Sequence, residues 1–494
     1  MTNLPVAVIG AGPVGLAAAV HLKERGLTPL VLEAGPKVGH AVRQWAHVSM
    51  FSPWSFTMDR VARRLLEATG WTAPAGDEVP TGGDLVSRYL EPLAKLPSIS
   101  PHLRFNTRVV AVGRKDYDKV KTAGRDTQPF VLQVETNGAR ETIEASAVID
   151  ASGTWAMPNP IGSGGLPVPG EAASADRIAY GIPDVLGRVR DLYRDKAAMV
   201  VGSGHSALNA LLELTELQES APATRILWAM RREQVESALG GGAADALPAR
   251  GALGIRAKQA IADDRIEVLT PFRISSLASR PNGKVAVTGS LRGHETTVEV
   301  DRLIVATGFR PDFDPLREIR LDLDPWLEST RALGPLIDPN LHSCGTVRPH
   351  GAKELAHPEK DFYIAGMKSY GRAPTFLLAT GHEQVRSIAA MLAGDHEAAA
   401  RVELELPETG VCNVTPKIGK AVPGEENVVE ANAAGCCGGP APAEADACCV
   451  ADAEAKAEGA AGCGCPTSTP AAVVVVAAKP RVKVPAGGSS CCGD

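Results

Sequence analysis

The sequence predicts an α/β chain in which one architecture occurs twice: a short parallel sheet entered through a glycine-rich turn, followed by antiparallel strands. Three observations predict it. The stretch VAVIGAGPVGLAAAVHL, from Val6, reads as strand, turn and helix, and AAMVVGSGHSALNALLEL, from Ala197, repeats that pattern roughly 190 residues later. Each is followed by a second apolar strand. Each copy then closes on a strand that runs into Ala-Ser-Gly or Ala-Thr-Gly and a proline, in SAVIDASGTWAMP and DRLIVATGFRPD.

In the first copy, Val6–Ile9 is a buried strand and Gly10, Gly12 and Gly15 follow as G-x-G-x-x-G, with Pro13 opening the helix. The glycines permit a tight turn and a close backbone approach, and the helix N-terminus presents free N–H groups and partial positive charge to a pyrophosphate. The next strand, TPLVLE, ends at Glu33, 23 residues beyond Gly10, where an acid can bind both hydroxyls of an adenosine ribose. RFNTRVVAVG and FVLQVETNG alternate like hairpin strands.

In the second copy Gly202 and Gly204 keep the turn, His205 and Ser206 follow, and Ala207 takes the place of the third glycine, small enough for helix and strand to pack. The following strand, TRILWAM, ends without an acid and runs into Arg231 and Arg232. An acid there repels a 2′-phosphate, whereas paired guanidiniums grip one, so this copy is expected to take NADPH rather than NADH. RIEVLT and KVAVTGS then precede the closing strand. One dinucleotide per copy explains the duplication. With FAD on the acid-bearing copy and NADPH on the arginine-bearing copy, hydride passes between them, and the flavin carries the chemistry.

Composition narrows the classes. The chain has 494 residues, 44% of them apolar, and a net charge of −6, enough for two or three domains and too balanced to point to nucleic acid or an anionic membrane. The N-terminus lacks the basic lead of a signal peptide, and the apolar run AAVVVVAA is far short of a membrane span, so a cytoplasmic protein is expected. Ten cysteines are unevenly spread: Cys344 alone precedes Cys412, and the others fall in the C-terminal part. No disulfide framework fits that distribution. No His/Cys/Asp cluster before the tail has metal-ligand spacing.

The set Gly10, Gly12, Gly15 and Glu33, Ala151–Gly153, Gly202 and Gly204, and Ala306-Thr307-Gly308 resembles the two-dinucleotide-domain flavoproteins over about residues 5–395. That resemblance implies the glutathione-reductase-like FAD/NAD(P) fold. It also implies an FAD domain in two pieces, residues 1–170 and 306–400, with the NADPH domain at 190–305 between them, and Ala151, Gly153, Thr307 and Gly308 at the cofactors. Disulfide reductases of this group need paired cysteines beside the flavin, which the core lacks. VGHAVRQWAHVSMFSPWSF, residues 38–56, resembles the stretch after the ribose acid in class B flavin-containing monooxygenases. There it implies a dry wall beside the flavin from Trp45, Phe51 and Trp54 with Arg43 as a nearby cation, dryness that preserves a flavin C4a-hydroperoxide. His40 and His47 flank it, and either can act as acid or base. Two departures are plain: F-x-G-x-x-x-H before the second turn is absent, and the Gly-Asp near the end of the FAD domain is Gly366-Met367. A helix expected from near Pro374, with Thr375 in its first turn, can still aim its N-terminus at the flavin.

After about residue 405 the chain turns to Ala, Gly, Pro and Glu and is expected to be a disordered tail over 405–494. It holds three vicinal pairs: Cys436 and Cys437, Cys448 and Cys449, and Cys491 and Cys492. These are soft thiolates able to close on arsenite or a soft metal ion. With the core motifs, this tail resembles the flavoprotein monooxygenases of arsenic-resistance operons. The resulting expectation is a flavin monooxygenase using NADPH, FAD and O2 on a small soft nucleophile. The alternatives are a reductase passing electrons to tail thiols and a thiol-based metalloid-binding protein. Monomer and homodimer stay open.

Overall fold

The computed structural model describes residues 4–240, 248–341, 347, 349–374 and 376–404. Thr375 and Cys344 lie outside the described residues, and so do the tail thiols Cys436, Cys437, Cys448, Cys449, Cys491 and Cys492.

The first copy folds around Val6–Ile9 (β1), Pro29–Leu32 (β2) and Leu103–Arg104 (β3), with an antiparallel sheet of Thr107–Arg114 (β4), Phe130–Thr136 (β5) and Ala139–Ala145 (β6) before Ala147–Asp150 (β7). The second copy has Ile178–Tyr180 (β8), Ala197–Val201 (β9), Arg225–Ala229 (β10) and Glu267–Leu269 (β11). The antiparallel Phe272–Ser279 (β12), Val285–Leu291 (β13) and His294–Val300 (β14) follow, then Arg302–Val305 (β15). Strand β8 falls in the stretch between residues 170 and 190. Far downstream, Phe362–Ile364 (β16) returns to the first sheet, whose order is β16-β7-β1-β2-β3; the second runs β11-β10-β9-β15-β8. Both are wholly parallel. A parallel sheet is covered on both faces, and β1, β7, β9 and β16 are accordingly buried at every residue.

Helices Pro13–Glu24 (α1), His40–Arg43 (α2), His205–Ser220 (α3) and Leu378–Leu392 (α4) set the sites. Helix α1 connects β1 to β2 and buries Leu16, Val20 and Leu22 with Ile149 and Val385; α3 does the same in the second copy with Leu208, Leu211 and Leu214. The closing helix α4 begins at Leu378, not near Pro374: Phe376 turns inward edge-on to Tyr370, ring centres 5.1 Å apart, and holds the chain extended until Leu377. The antiparallel sheet of the first copy is tied down by Glu359, fully buried, which bonds Arg114 at 2.8 Å and Arg125 at 2.9 Å. One carboxylate cannot neutralise two guanidiniums, and the backbone carbonyls of Gln128, Lys360, Tyr117, Asp118 and Glu318 accept their further N–H groups.

Two linkers, 151–160 and 306–313, carry the chain into and out of the second copy and run against each other. Pro158 bridges Phe309, Asn159 N–H donates to Gly308 O, and Thr307 Oγ donates to Asn159 O.

Candidate functional site

The first glycine turn leaves the C-terminal edge of the sheet between β1 and α1. Gly10 sits at φ +99°, and a Cβ there meets Ala151 O at 2.9 Å; a Cβ at Gly15 meets Gly10 O at 2.0 Å. Neither position tolerates a side chain without moving backbone. Gly12 is the N-cap of α1, with open space where a side chain would begin, no side-chain cap and no acid in the first turn. Helix N–H groups and their partial positive charge therefore face open space, as an anion site requires. Glu33 is fixed beside it: Ala11 N–H donates to Oε2 and Gly35 N–H to Oε1, both at 2.8 Å. Each oxygen keeps a further lone pair for a ribose hydroxyl. These residues fit the adenosine diphosphate part of FAD.

The second turn is built alike. Gly202 has φ +133° and its Cβ would stand 2.3 Å from Ala306 O, so backbone crowding again requires glycine. Gly204 is the uncapped N-cap of α3, open in front, and Ala207 is fully buried against the strand. Arg232 reaches back to this turn, Nε donating to Ser203 Oγ at 3.0 Å, while Arg231 turns the other way and donates to Ser163 O at 3.0 Å. The sequence sets these arginines side by side, but only Arg232 stands at the glycine turn. One guanidinium and an uncapped helix N-terminus fit a phosphorylated dinucleotide here.

Between the turns lies the aromatic segment. Arg43 is tied down, Nε to Val38 O at 2.9 Å and a terminal nitrogen to Glu91 at 2.7 Å. Trp54 is wholly buried in the core of the first copy and lies under the segment rather than on its open side. Trp45 is half-buried, its ring where a Cβ on Gly82 would stand. Phe51 reaches the second copy, its ring centre 5.1 Å from that of His205 in the first turn of α3. Trp155, on the first linker, stacks on Phe309 at 4.8 Å and donates its Nε1–H to Gln44 at 2.9 Å. No motif marks Trp155; only the meeting of the linkers gives it a place at the junction.

His47 sits against α3, its Nε2 3.9 Å from Glu213 Oε2, with neither atom hydrogen-bonded. Burial pulls His47 below its usual value and pushes Glu213 up to about 8, helped by Asp184 and Glu216. Both are thus neutral near pH 7, so their contact is not an ion pair. His40 lies against Gly35, where a Cβ would meet its ring at 2.3 Å. Gly366 (φ +73°) donates its N–H to Gln384 Oε1 at 2.8 Å and packs against Val14 of α1, which brings the last part of the described chain to the first turn.

Among the described residues, no group of three His, Cys, Asp or Glu could hold a metal, and no helix is long and apolar enough to cross a membrane. The metalloid thiols expected at Cys436 and Cys437, Cys448 and Cys449, and Cys491 and Cys492 lie outside the described residues.

Two parallel sheets, each with an anion-ready glycine turn at its C-terminal edge, define an FAD- and NAD(P)-binding oxidoreductase. The chain belongs to the pyridine nucleotide-disulphide oxidoreductase family, whose sequence pattern matches residues 7–332. It is similar to a Baeyer-Villiger monooxygenase of Streptomyces coelicolor, 28% identical over 208 residues, 42% of this chain and 34% of that protein. The chain thus matches only about a third of that relative's length. It is also similar to a ferredoxin–NADP reductase of Bacillus velezensis, 24% identical over 65% of this chain and 76% of that one. Among solved structures, a bacillithiol disulfide reductase from Bacillus cereus shares the fold with a TM-score of 0.60 at 19% identity, covering 79% of this chain and 99% of that one.

Proposed function

We propose that the protein is an NADPH-dependent flavin monooxygenase acting on a small soft nucleophile. Two features support the reading: the segment that starts at the first turn, Gly39 N–H donating to Ala11 O, reaches the second through Phe51, whose ring centre lies 5.1 Å from that of His205, and the core sequence holds only one cysteine, Cys344. A dithiol relay needs two thiols near the flavin, so electrons delivered there leave to a small acceptor instead. The family's FAD supplies hydride acceptance and the reaction with O2. The chain's own residues do the rest. Glu33 and the α1 N-terminus hold the FAD adenosine diphosphate, with Pro13, Ala151, Gly153 and Gly366 shaping the floor. Gly202–Ala207 and Arg232 hold NADPH, with Thr307 and Gly308 beneath. Trp45, Phe51 and Trp155 would keep water from the junction.

The tail thiols point to the substrate class. Three vicinal Cys-Cys pairs, with Cys463 and Cys465 between them, on an otherwise cysteine-poor chain suit capture of a trivalent metalloid such as arsenite. The likeness to a ferredoxin–NADP reductase over most of the matched chain supports a second reading, a reductase whose electrons leave through thiols or a protein acceptor.

The test is anaerobic reduction of the FAD-loaded protein by NADPH, then admission of air under rapid-scan absorbance. A transient spectrum persisting for seconds before oxidised flavin returns is expected. Immediate return with stoichiometric peroxide overturns the oxygenase, and loss of turnover on truncation after residue 404 then establishes the reductase.

A further inference from the structure

An ion pair lies buried beside the first glycine turn, and the turn itself does not explain it. Lys368 Nζ donates to Asp150 Oδ2 at 2.7 Å and to Ser152 Oγ at 3.2 Å, and both charged side chains are almost fully buried. Asp150 ends β7, opposite Ile364 of β16, and its other oxygen accepts the Ser152 N–H at 3.0 Å. Lys368 follows β16 by four residues, so the pair ties together segments 218 residues apart. Stability alone gives no reason for it, since a buried pair replaced by apolar groups of like volume is often neutral or better.

Its surroundings do give a reason. Ala151, between Asp150 and Ser152, presents the carbonyl that a Cβ on Gly10 would strike at 2.9 Å. Gly366, two residues before Lys368, packs on Val14 in the first turn of α1. Ser152 is exposed at this same edge. The ammonium has three donors; two are spent on Asp150 and Ser152, and the Phe313 ring lies 5.7 Å away. The ammonium, paired with one carboxylate, is therefore held between two segments that both touch the first turn, Ala151 at Gly10 and Gly366 at Val14, in a stretch where Met367 carries no charge.

We propose that Lys368, aimed by Asp150, is a positioning residue for the anionic dinucleotide at the first turn. Its charge supplements the helix N-terminus, and its bond to Ser152 fixes the Ala151–Gly153 floor. This rests on the reading that FAD binds there. The test is titration of the full-length apoprotein with FAD, followed by flavin fluorescence over a series of KCl concentrations, with thermal unfolding of the apoprotein alongside. Lys368→Met is expected to raise the FAD Kd about tenfold or more and to flatten its salt dependence, and Lys368→Arg to restore both. Asp150→Asn keeps an oxygen acceptor that aims the ammonium but removes the opposing charge, and is expected to keep the Kd within about threefold or lower it, although its unfolding temperature falls as in Lys368→Met. Equal weakening in both variants, in step with lost stability, overturns the proposal. If Lys368→Met does not fold, the double variant carrying Lys368→Met and Asp150→Asn decides: weakened FAD binding in a stable protein upholds it, and wild-type affinity overturns it. Failure of the wild-type apoprotein to bind FAD instead removes the reading on which the proposal stands.

Discussion

The two glycine turns have nearly the same backbone and opposite chemistry around it. The first is flanked by a carboxylate, Glu33, locked by two backbone N–H groups; the second by a guanidinium, Arg232, locked to Ser203. The third position differs as well: Gly15 has no room for a Cβ, whereas its counterpart Ala207 is a buried methyl. On the proposed reading the backbone supplies anion affinity in both, and the side chain just after the second strand selects the dinucleotide.

That comparison is broken most severely at the third position. Gly15→Ala drives a methyl into Gly10 O and is expected to cost about 3 kcal/mol or more, with FAD binding lost. Ala207→Gly removes a buried methyl and adds helix entropy, at about 1 kcal/mol. Thermal unfolding of the two variants compares them directly.

Acid and base should act on opposite copies. His382, on α4 beside Gly381, which packs on Val14 of α1, is held by burial at about 4 against 6.5. The unfolded chain binds that proton first, so stability is lost as pH falls from about 6.5 towards 4, and His382→Gln should flatten the loss. Glu213 on α3, held at about 8 against 4.5, keeps a proton that the unfolded chain releases, so stability falls as pH rises through that window. Glu213→Gln should therefore gain on wild type above that window, in mildly alkaline buffer. Each effect is on the order of 2 kcal/mol, read from urea midpoints across pH.

A smaller change sharpens the contrast between the arginines. Arg232→Ala should raise the NADPH KM about ten- to hundredfold and leave NADH unchanged, as befits loss of a charge-assisted phosphate contact. Arg231→Ala, whose guanidinium holds the Ser163 carbonyl, should alter the NADPH KM less than about threefold. Glu33→Gln is also expected to act modestly, at about 1 kcal/mol of FAD affinity by isothermal titration, because one of the two backbone donors keeps an acceptor.

Much of this is legible in the sequence. Both turns, Glu33, the antiparallel pairs and the strand-to-glycine closures follow from local periodicity and glycine spacing, which need no partner from afar. What escapes is long-range. Nothing local reveals that Asp150 meets Lys368, that Glu213 faces His47, or that Arg231 and Arg232 diverge. Trp54 reads as part of a wall because the spacing of aromatics does not say whether a ring faces an open site or the core. The helix expected at Pro374 starts later, at Leu378, since propensity does not foresee Phe376 folding in against Tyr370.

The crossing of the two linkers has a consequence for how such a chain can be assembled and taken apart. Pro158 and Phe309 are bridge partners, so their Cα atoms lie only about 5 Å apart. Everything between them leaves and re-enters at one point, while every strand of the first sheet, β16 included, lies outside that excursion. The second copy is therefore a cassette: a gene that joins residue 158 to residue 309 through a short turn keeps the first sheet's strand order intact.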